Sequence, residues 1–191
     1  LPMGLKVGLT YNLKNSCPRD LDSPDDADAE YESEQTVGGI LTALEACGHK
    51  VVPLPYSPEL PTRLLSEKPD IVFNIAEGWT GRNREALVPA MLEFFNIPYT
   101  GSDPLTLGLA LDKALCKTVV SASNIPTAKW IEIERIEEWK KIDLSYPLFV
   151  KPNAEGSSKG IRNWSRVNTP AELSAKLAWV VNKYHQSALV E

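Results

Sequence analysis

Hydrophobic and polar positions alternate over the first hundred residues in the rhythm of strands and helices. Short apolar runs predict buried strands at Lys6–Tyr11, Val51–Leu54 and Asp70–Ile75. Apolar residues that recur at helical spacing predict helices at 34–47, 58–67 and 84–95. Strands that alternate with helices in this way are typical of a doubly wound parallel sheet. We therefore predict an α/β domain over residues 1–103.

The pattern changes near Gly101, and the remaining residues, 104–191, predict a small α+β domain. Helical spacing covers 106–123 and 169–184, and Thr169-Pro170-Ala171-Glu172 has the form of a capping box. Short extended segments are predicted at 129–132, 148–151, 159–164 and 188–191. The segments 148–151 and 159–164 flank a loop of small residues, which predicts a hairpin-like flap.

The flap loop carries groups that suit phosphate binding. Lys151 supplies a fixed positive charge, and Ser157 and Ser158 supply hydroxyl and N–H donors. Gly156 permits a positive φ angle and close approach of the backbone, and Glu155 could orient a lysine or a donor in the loop. The order of residues is neither that of a Walker loop nor that of a dinucleotide fingerprint. An ordinary tight turn between two strands therefore remains the alternative.

A second lysine, Lys113, opens a predicted helix directly after Asp112. A lysine at the start of a helix is electrostatically unfavourable unless an anion lies nearby. The position therefore favours an anionic ligand, with a surface lysine as the alternative.

Composition narrows the classes of partner. Among the 191 residues, 43% are hydrophobic and 24% are charged, and the net charge is −5. The chain has no dense stripe of Lys and Arg, which argues against nucleic-acid binding, and no apolar run long enough for a membrane span. It also has no signal-peptide profile, and its three cysteines are far apart, so a reducing cytoplasm is the simplest compartment.

A strongly acidic stretch follows the first predicted strand, from Asn12 to about Ser33. Its carboxylates are Asp20, Asp22, Asp25, Asp26, Asp28, Glu30 and Glu32. This composition predicts a mobile, solvated loop. The alternative is a lid or a substrate loop, since ligands of open α/β sheets bind at the carboxyl ends of the strands. The glycine and the glutamate spacing of a calcium loop are absent.

An ordered series of motifs resembles the D-alanine–D-alanine ligases of the ATP-grasp superfamily. The motifs are Tyr99-Thr100-Gly101-Ser102, Asp112-Lys113, Val150-Lys151-Pro152 and Glu155-Gly156-Ser157-Ser158-Lys159-Gly160. The resemblance covers roughly residues 70–191. It implies a Rossmann-like domain over 1–103, then an ATP-grasp subdomain over 104–191. The implied activity is ATP-dependent joining of a carboxylate to an amine through an acyl phosphate.

The same resemblance implies a cytoplasmic enzyme of peptidoglycan synthesis in the bacterial cell wall, with small amino-acid substrates and a homodimeric state. The nucleotide-binding residues that it implies are Lys113, Lys151, Glu155, Gly156, Ser157, Ser158 and Glu191. Lys113 and Lys151 would contact the phosphates of ATP. The two serines would lie in a flap over the triphosphate, which Glu155 supports. Glu191 would begin the hinge segment that meets adenine.

The loop after the third strand departs from the family, which usually has a histidine followed by glycine there. In this chain residues 74–85 occupy that place, and the histidine is absent. Glu77, Arg82 and Arg84 are candidates for binding a substrate carboxylate or amine, and solvated loop charges are the alternative. The family glutamate that helps to hold the first D-alanine is not assigned within the acidic stretch. These departures motivate a second hypothesis, an ATP-grasp ligase for other amino acids or peptides.

Family members continue beyond Glu191 into segments that carry the Mg²⁺ ligands. The resemblance therefore implies ATP and Mg²⁺, with no metal ligand and no catalytic residue assigned in this chain. It predicts a piece truncated at the adenine hinge that does not complete the reaction alone. A non-catalytic nucleotide-binding module is the third hypothesis.

Overall fold

The computed structural model describes residues 4–14, 16 and 22–191, and these residues divide into two compact units. The first unit contains the described residues before position 17 together with Glu30–Gly108. The second unit contains residues 22–29 together with Leu109–Glu191. Residues 15 and 17–21 of the acidic stretch, Asp20 among them, lie outside the described residues.

The first unit is built on a three-stranded parallel sheet in the order β2-β1-β3. Its strands are β1 (Lys6–Tyr11), β2 (Lys50–Pro55) and β3 (Ile71–Ile75). Its helices are α1 (Glu34–Ala46), α2 (Leu60–Glu67) and α3 (Leu87–Phe94), and a 3-10 turn at Arg84–Ala86 precedes α3. The predicted order of strands and helices is therefore confirmed.

Successive strand residues in the first unit pack into two different cores. Val52 and Val72 face a core that contains α2 and α3, with Leu60, Leu64, Val88 and Leu92. Their sequence neighbours Val51 and Phe73 pack against a different core, which contains Leu9 of β1 and Val37 of α1. Because adjacent strand residues point to opposite faces, helices cover both sides of this sheet. The prediction of a doubly wound parallel sheet is confirmed.

The second unit contains a four-stranded sheet in the order β4-β7-β5-β6, with antiparallel pairing between neighbours. The strands are β4 (Ile131–Ile133), β5 (Leu148–Pro152), β6 (Arg166–Val167) and β7 (Ala188–Val190). The helices around the unit boundary and within the second unit are α4 (Pro104–Leu111), α5 (Lys113–Ala122) and α6 (Pro170–Tyr184), and a 3-10 helix covers Ile136–Lys141. This sheet with its helices confirms the predicted α+β class.

Helix α6 begins and packs as its sequence predicts. The Thr169 side chain accepts a hydrogen bond from the Glu172 backbone N–H, and Pro170 occupies the first turn. Leu173, Leu177 and Val180 then lie on one face of the helix and are at most 1% exposed. They pack against β5 and β7 in the core of the second unit.

The predicted strand at 159–164 is wrong. β5 pairs instead with the later segment Arg166–Val167. Turn hydrogen bonds from Lys159 N–H to the Gly156 carbonyl and from Ile161 N–H to the Ser158 carbonyl occupy this stretch. A chain that bends back on itself over three residues cannot also form a ladder, so the flap loop is longer than the hairpin prediction allows.

The described part of the acidic stretch is not simply solvated. Residues 22–29 belong to the second unit, where the Asp26 carboxylate lies 2.8 Å from the Arg162 guanidinium. Glu30 and Tyr31, which follow directly, are buried in the first unit. Among the described residues, no helix combines the length and the apolar character needed to cross a bilayer.

Candidate functional site

The buried side chain of Asn153 fixes the start of the flap loop. Its amide accepts a hydrogen bond from the Ala114 backbone N–H (2.8 Å) and donates to Asp112 (2.9 Å). The Lys113 backbone N–H also donates to the Asn153 carbonyl oxygen, at 3.1 Å. The start of α5 is therefore bound directly to the end of β5. Sequence analysis missed Asn153, whose signal is its place directly after Lys151-Pro152.

Lys113 lies beside the flap loop. Its ammonium group donates to the backbone carbonyl oxygen of Glu155 and lies 3.4 Å from that of Asn153. These residues are 40 and 42 positions further along the chain. Folding thus brings the lysine at the start of α5 to the loop that sequence analysis assigned to phosphate binding.

Glu155 supports the loop from within. One carboxylate oxygen lies 2.6 Å from the Lys159 ammonium group, and both side chains are nearly buried. The other accepts a hydrogen bond from the Gln186 side chain at 2.8 Å. Gln186 in turn accepts from the Ala154 backbone N–H at 2.7 Å. The sequence-based expectation that Glu155 orients a lysine is met by Lys159, a residue to which sequence analysis gave no role.

Ser157 and Ser158 form the exposed tip of the loop. Their φ angles, 44° and 61°, lie in the left-handed region. Sequence analysis noted that Gly156 permits this conformation, and the structure records it at the two serines. Residues with a Cβ atom adopt it at a cost of about 1–2 kcal/mol, which the fixed ends of the loop must offset. Both hydroxyl groups remain open to solvent and to a ligand.

Lys151 and Glu191 lie together on neighbouring strands. The Lys151 ammonium group is 2.5 Å from one oxygen of Glu191, and Lys117 of α5 is 2.9 Å from the other. Burial raises the pKa of the Glu191 carboxyl, but hydrogen bonds from the two lysines outweigh it and bring the pKa below the usual value. Sequence analysis missed Lys117, whose signal is its position one helical turn after Lys113.

The second unit therefore gathers ammonium groups, exposed hydroxyls and a turn of small residues. These are the donors that a polyphosphate anion requires. Within the described ranges, no group of three or more His, Cys, Asp or Glu side chains is arranged to hold a metal ion.

The candidate residues of the first unit have a different character. Arg84 is 3% exposed and makes two hydrogen bonds to Glu30, at 2.6 and 2.8 Å. The Glu30 side chain is 2% exposed. A fully desolvated charge needs a partner, and this forked guanidinium–carboxylate contact supplies one. Sequence analysis named Arg84 but missed Glu30, because the acidic stretch offers seven similar carboxylates.

Glu77 lies after β3, where Asn12 at the end of β1 holds the backbone. The Asn12 side-chain oxygen accepts from the N–H groups of Glu77 (2.9 Å) and Gly78 (3.2 Å). Burial, followed by the nearby charges of Glu85 and Glu30, raises the pKa of the Glu77 carboxyl to about 7. Glu77 and Arg84 therefore belong to one electrostatic cluster at the carboxyl edge of the parallel sheet.

Arg82 is exposed in the loop between β3 and the 3-10 turn. Of the three substrate candidates in the first unit, the structure thus brings Glu77 and Arg84 into one cluster and places Arg82 at the surface.

Known proteins resemble this chain in sequence and in fold. A family model described as D-ala D-ala ligase C-terminus matches residues 119–191. A D-alanine–D-alanine ligase of Geobacter sulfurreducens is 35% identical over 166 residues, which are 85% of this chain and 51% of that protein. The chain belongs to the D-alanine–D-alanine ligase family.

Two further proteins are similar to the chain, one in sequence and one in fold. An uncharacterized protein of Sinorhizobium fredii is 39% identical over 160 residues, which cover 80% of this chain and 46% of that protein. The solved D-alanine–D-alanine ligase of Bacillus anthracis has the same fold, with a TM-score of 0.73 and 23% identity over 98% of this chain and 57% of that chain. The chain spans about half the length of the curated relatives it matches.

The match to the family model lies in one of the two units. Residues 119–191 all belong to the second unit, and no residue of the first unit is included in that match.

Proposed function

We propose that the protein containing this chain is an ATP-dependent carboxylate–amine ligase, most like D-alanine–D-alanine ligase. Lys113 and Lys151 contact the phosphates, and Ser157 and Ser158 close over the triphosphate. Glu191 lies at the start of the segment that meets adenine. The proposal includes action in the cytoplasm, in peptidoglycan synthesis, by a homodimer.

One observation carries the nucleotide part of this proposal. The ammonium group of Lys113 is bound at the flap loop through the Glu155 carbonyl, although 42 positions separate the two residues. Lys151 occupies the strand that leads into the same loop. Lys113 at the loop and Lys151 on the strand that leads into it would supply two positive charges, as a triphosphate requires. A D-alanine–D-alanine ligase of Bacillus anthracis that was solved in complex with ATP has the same fold, with a TM-score of 0.70 and 22% identity.

The chemistry follows from the poor reactivity of a carboxylate. In the proposed first step, a substrate carboxylate oxygen attacks the γ-phosphorus of ATP, and ADP leaves with the electrons of the broken P–O bond. The amine of the second substrate then attacks the acyl carbon, and inorganic phosphate and a proton leave. Lysines and loop donors stabilise the negative charge on the phosphoryl oxygens during this transfer. Mg²⁺ is part of the proposal, but none of the described residues is assigned to it.

Glu77, Arg82 and Arg84 remain the proposed substrate-binding group. Because Arg84 is paired with Glu30, we propose that it acts by holding this carboxylate in place. Glu77 would face the ammonium or carboxyl group of an amino-acid substrate.

A second candidate, a ligase for other amino acids or peptides, is favoured by Glu77. A carboxyl with a pKa of about 7 presents a different charge from a histidine and changes protonation near neutral pH. Substrates that carry a further amine would fit such a group.

The test is ATP-dependent phosphate release by the product of the complete gene, against a panel of D- and L-amino acids and dipeptides. A Lys151→Met variant serves as the matched inactive control. Release that needs D-alanine alone supports the cell-wall ligase, and faster release with another pair supports the second candidate. No release above the Lys151→Met blank with any pair would contradict both and leave a nucleotide-binding module.

A further inference from the structure

We propose that Asp26 and Lys176 are positioning residues that hold the far end of the flap loop, at Gly160, in place for triphosphate binding. The inference rests on the proposed ATP-dependent function. It concerns two residues that sequence analysis did not assign to any site, one in the acidic segment 22–29 and one on α6.

Gly160 is held through both of its backbone polar groups. Its N–H donates to the Asp26 carboxylate at 3.0 Å, and its carbonyl oxygen accepts from the Lys176 ammonium group at 3.0 Å. Its φ angle is +76°, and a Cβ atom there would lie 2.3 Å from Pro152. The backbone conformation at Gly160 is therefore tightly restricted, and hydrogen bonds from side chains rather than strand pairing fix it.

Asp26 is itself fixed by two further donors. The Tyr184 hydroxyl donates to one carboxylate oxygen at 2.7 Å, and the Arg162 guanidinium lies 2.8 Å from the other. Burial raises the pKa of Asp26, but the Gly160 N–H, Tyr184 and Arg162 bring it below the usual value. The carboxylate therefore stays ionised and stays in contact with the loop across the neutral pH range.

Lys176 is fully buried, with 0% exposure. Its ammonium group lies 4.2 Å from the centre of the Trp164 ring and 4.0 Å from that of Trp179. Burial lowers the pKa of Lys176 to about 8, and Arg162 adds to this effect. Two aromatic faces and one carbonyl oxygen are what offset the desolvation of this charge. Because the hydrogen bond of Lys176 to the flap loop is made at the Gly160 carbonyl, we infer that this buried lysine holds Gly160 in position.

These contacts explain how an exposed loop can be ordered. Ser157 and Ser158 are open to solvent and adopt left-handed φ angles. Their position must therefore come from the two ends of the loop. Asn153 fixes the near end, and the Asp26–Gly160–Lys176 contact fixes the far end. Loss of either end would release the serines from the geometry that a triphosphate needs.

The anchor itself is tested by hydrogen exchange on the nucleotide-free product of the complete gene. In Asp26→Asn, we expect amides near residue 160 to exchange at least about fivefold faster than in the wild-type protein. Asp25→Asn is the matched control, since it removes the same charge from an exposed neighbouring position. Equal exchange in Asp26→Asn, Asp25→Asn and the wild-type protein would overturn the anchor.

Positioning is tested by titrating the same proteins with ATP and with AMP. We expect Asp26→Asn to weaken ATP binding about tenfold and AMP binding less than about twofold, because the loop covers the phosphates beyond the first. Lys176→Arg, which retains the charge but lengthens the side chain, should show the same selective loss. Equal losses for ATP and AMP, or none, would overturn the positioning role. Failure of the wild-type protein to bind ATP would instead overturn the proposed function, and the exchange result would still decide the anchor.

Discussion

Two pairs of charged side chains, one in each unit of this chain, differ in burial and therefore in what they can do. In the first unit, Arg84 and Glu30 are almost completely buried and are bound to each other. In the second, Lys151 and Glu191 keep 21% and 20% of their side chains exposed, next to an open loop. A desolvated pair is costly to break and therefore serves the fold, whereas a partly hydrated lysine can exchange its partner for a ligand.

The largest effect that the comparison predicts is on stability in the first unit. Arg84→Met leaves the Glu30 carboxylate buried without its main cationic partner, so we expect the free energy of unfolding to fall by about 3–5 kcal/mol. Urea unfolding measures this. The double variant Arg84→Met with Glu30→Gln should recover a large part of the loss.

Arg82→Met is the control for that experiment, because Arg82 is exposed in the same loop. Its expected effect is within about 0.5 kcal/mol. If Arg84→Met were no more destabilising than Arg82→Met, the distinction between a structural and a ligand-binding charge would be broken.

The next effect concerns nucleotide binding in the second unit. Lys113→Met would remove the proposed charge-assisted contact to phosphate, and we expect ATP affinity to fall about 10- to 100-fold. Calorimetric titration with ATP measures this change, with Lys140→Met as the matched control at an exposed position. The comparison requires that Lys113→Met unfold at nearly the wild-type urea concentration. A stability loss as large as that of Arg84→Met would argue that this lysine is structural too.

A smaller effect is expected from Glu77, through pH. Its pKa of about 7 in the folded chain lies above its ordinary value of 4.5. The folded state therefore binds more protons between these values, and stability should fall as the pH rises from about 4.5 to about 7. We expect a loss of about 1–2 kcal/mol, since the carboxyl is partly exposed and solvent screens it.

Urea midpoints at about pH 5 and about pH 8 test this expectation. Glu77→Gln should flatten the difference, whereas Glu45→Gln, at an exposed position of α1, should leave it as it is in the wild-type protein. If the urea midpoint of Glu77→Gln differed between the two pH values as much as that of the wild-type protein, another group would be responsible for the pH dependence.

The smallest effect should be the same in both units. Ser33 caps α1 and Thr169 caps α6, each by accepting a backbone hydrogen bond in the first turn. Replacement of either residue by Ala should cost about 1 kcal/mol in unfolding experiments. Equal costs would show that the units differ in their use of charge and not in their local helix signals. A much larger cost at one cap would weaken that conclusion.

Local patterns in the sequence predicted most of the fold. β1 and α6 begin and end close to their predicted positions because periodicity and a capping box are properties of neighbouring residues. The prediction of a strand at 159–164 failed for a physical reason, because Gly160 and the turn at Ser158 direct the chain away from β5. Strand propensity is decided by a partner strand, which local sequence does not contain.

Sequence analysis named those candidate-site residues that belong to a motif. Lys113, Lys151 and the Ser157-Ser158 turn stand in a recognisable order along the chain. Glu30, Asn153 and Lys176 were missed because their roles come from contacts with residues that are 16 to 54 positions away. A buried lysine or glutamate looks the same in sequence as an exposed one until its partner is known.

The close contact between Pro152 and Gly160 has a consequence for how this motif can change over time. A Cβ atom on residue 160 would lie 2.3 Å from the Pro152 ring, and the φ angle of +76° would strain any residue other than glycine there. In an alignment of relatives, position 160 should therefore remain glycine even where residue 152 is smaller than proline. A laboratory search for substitutes should likewise keep glycine at 160 and vary 152, because only the second position can change without backbone strain.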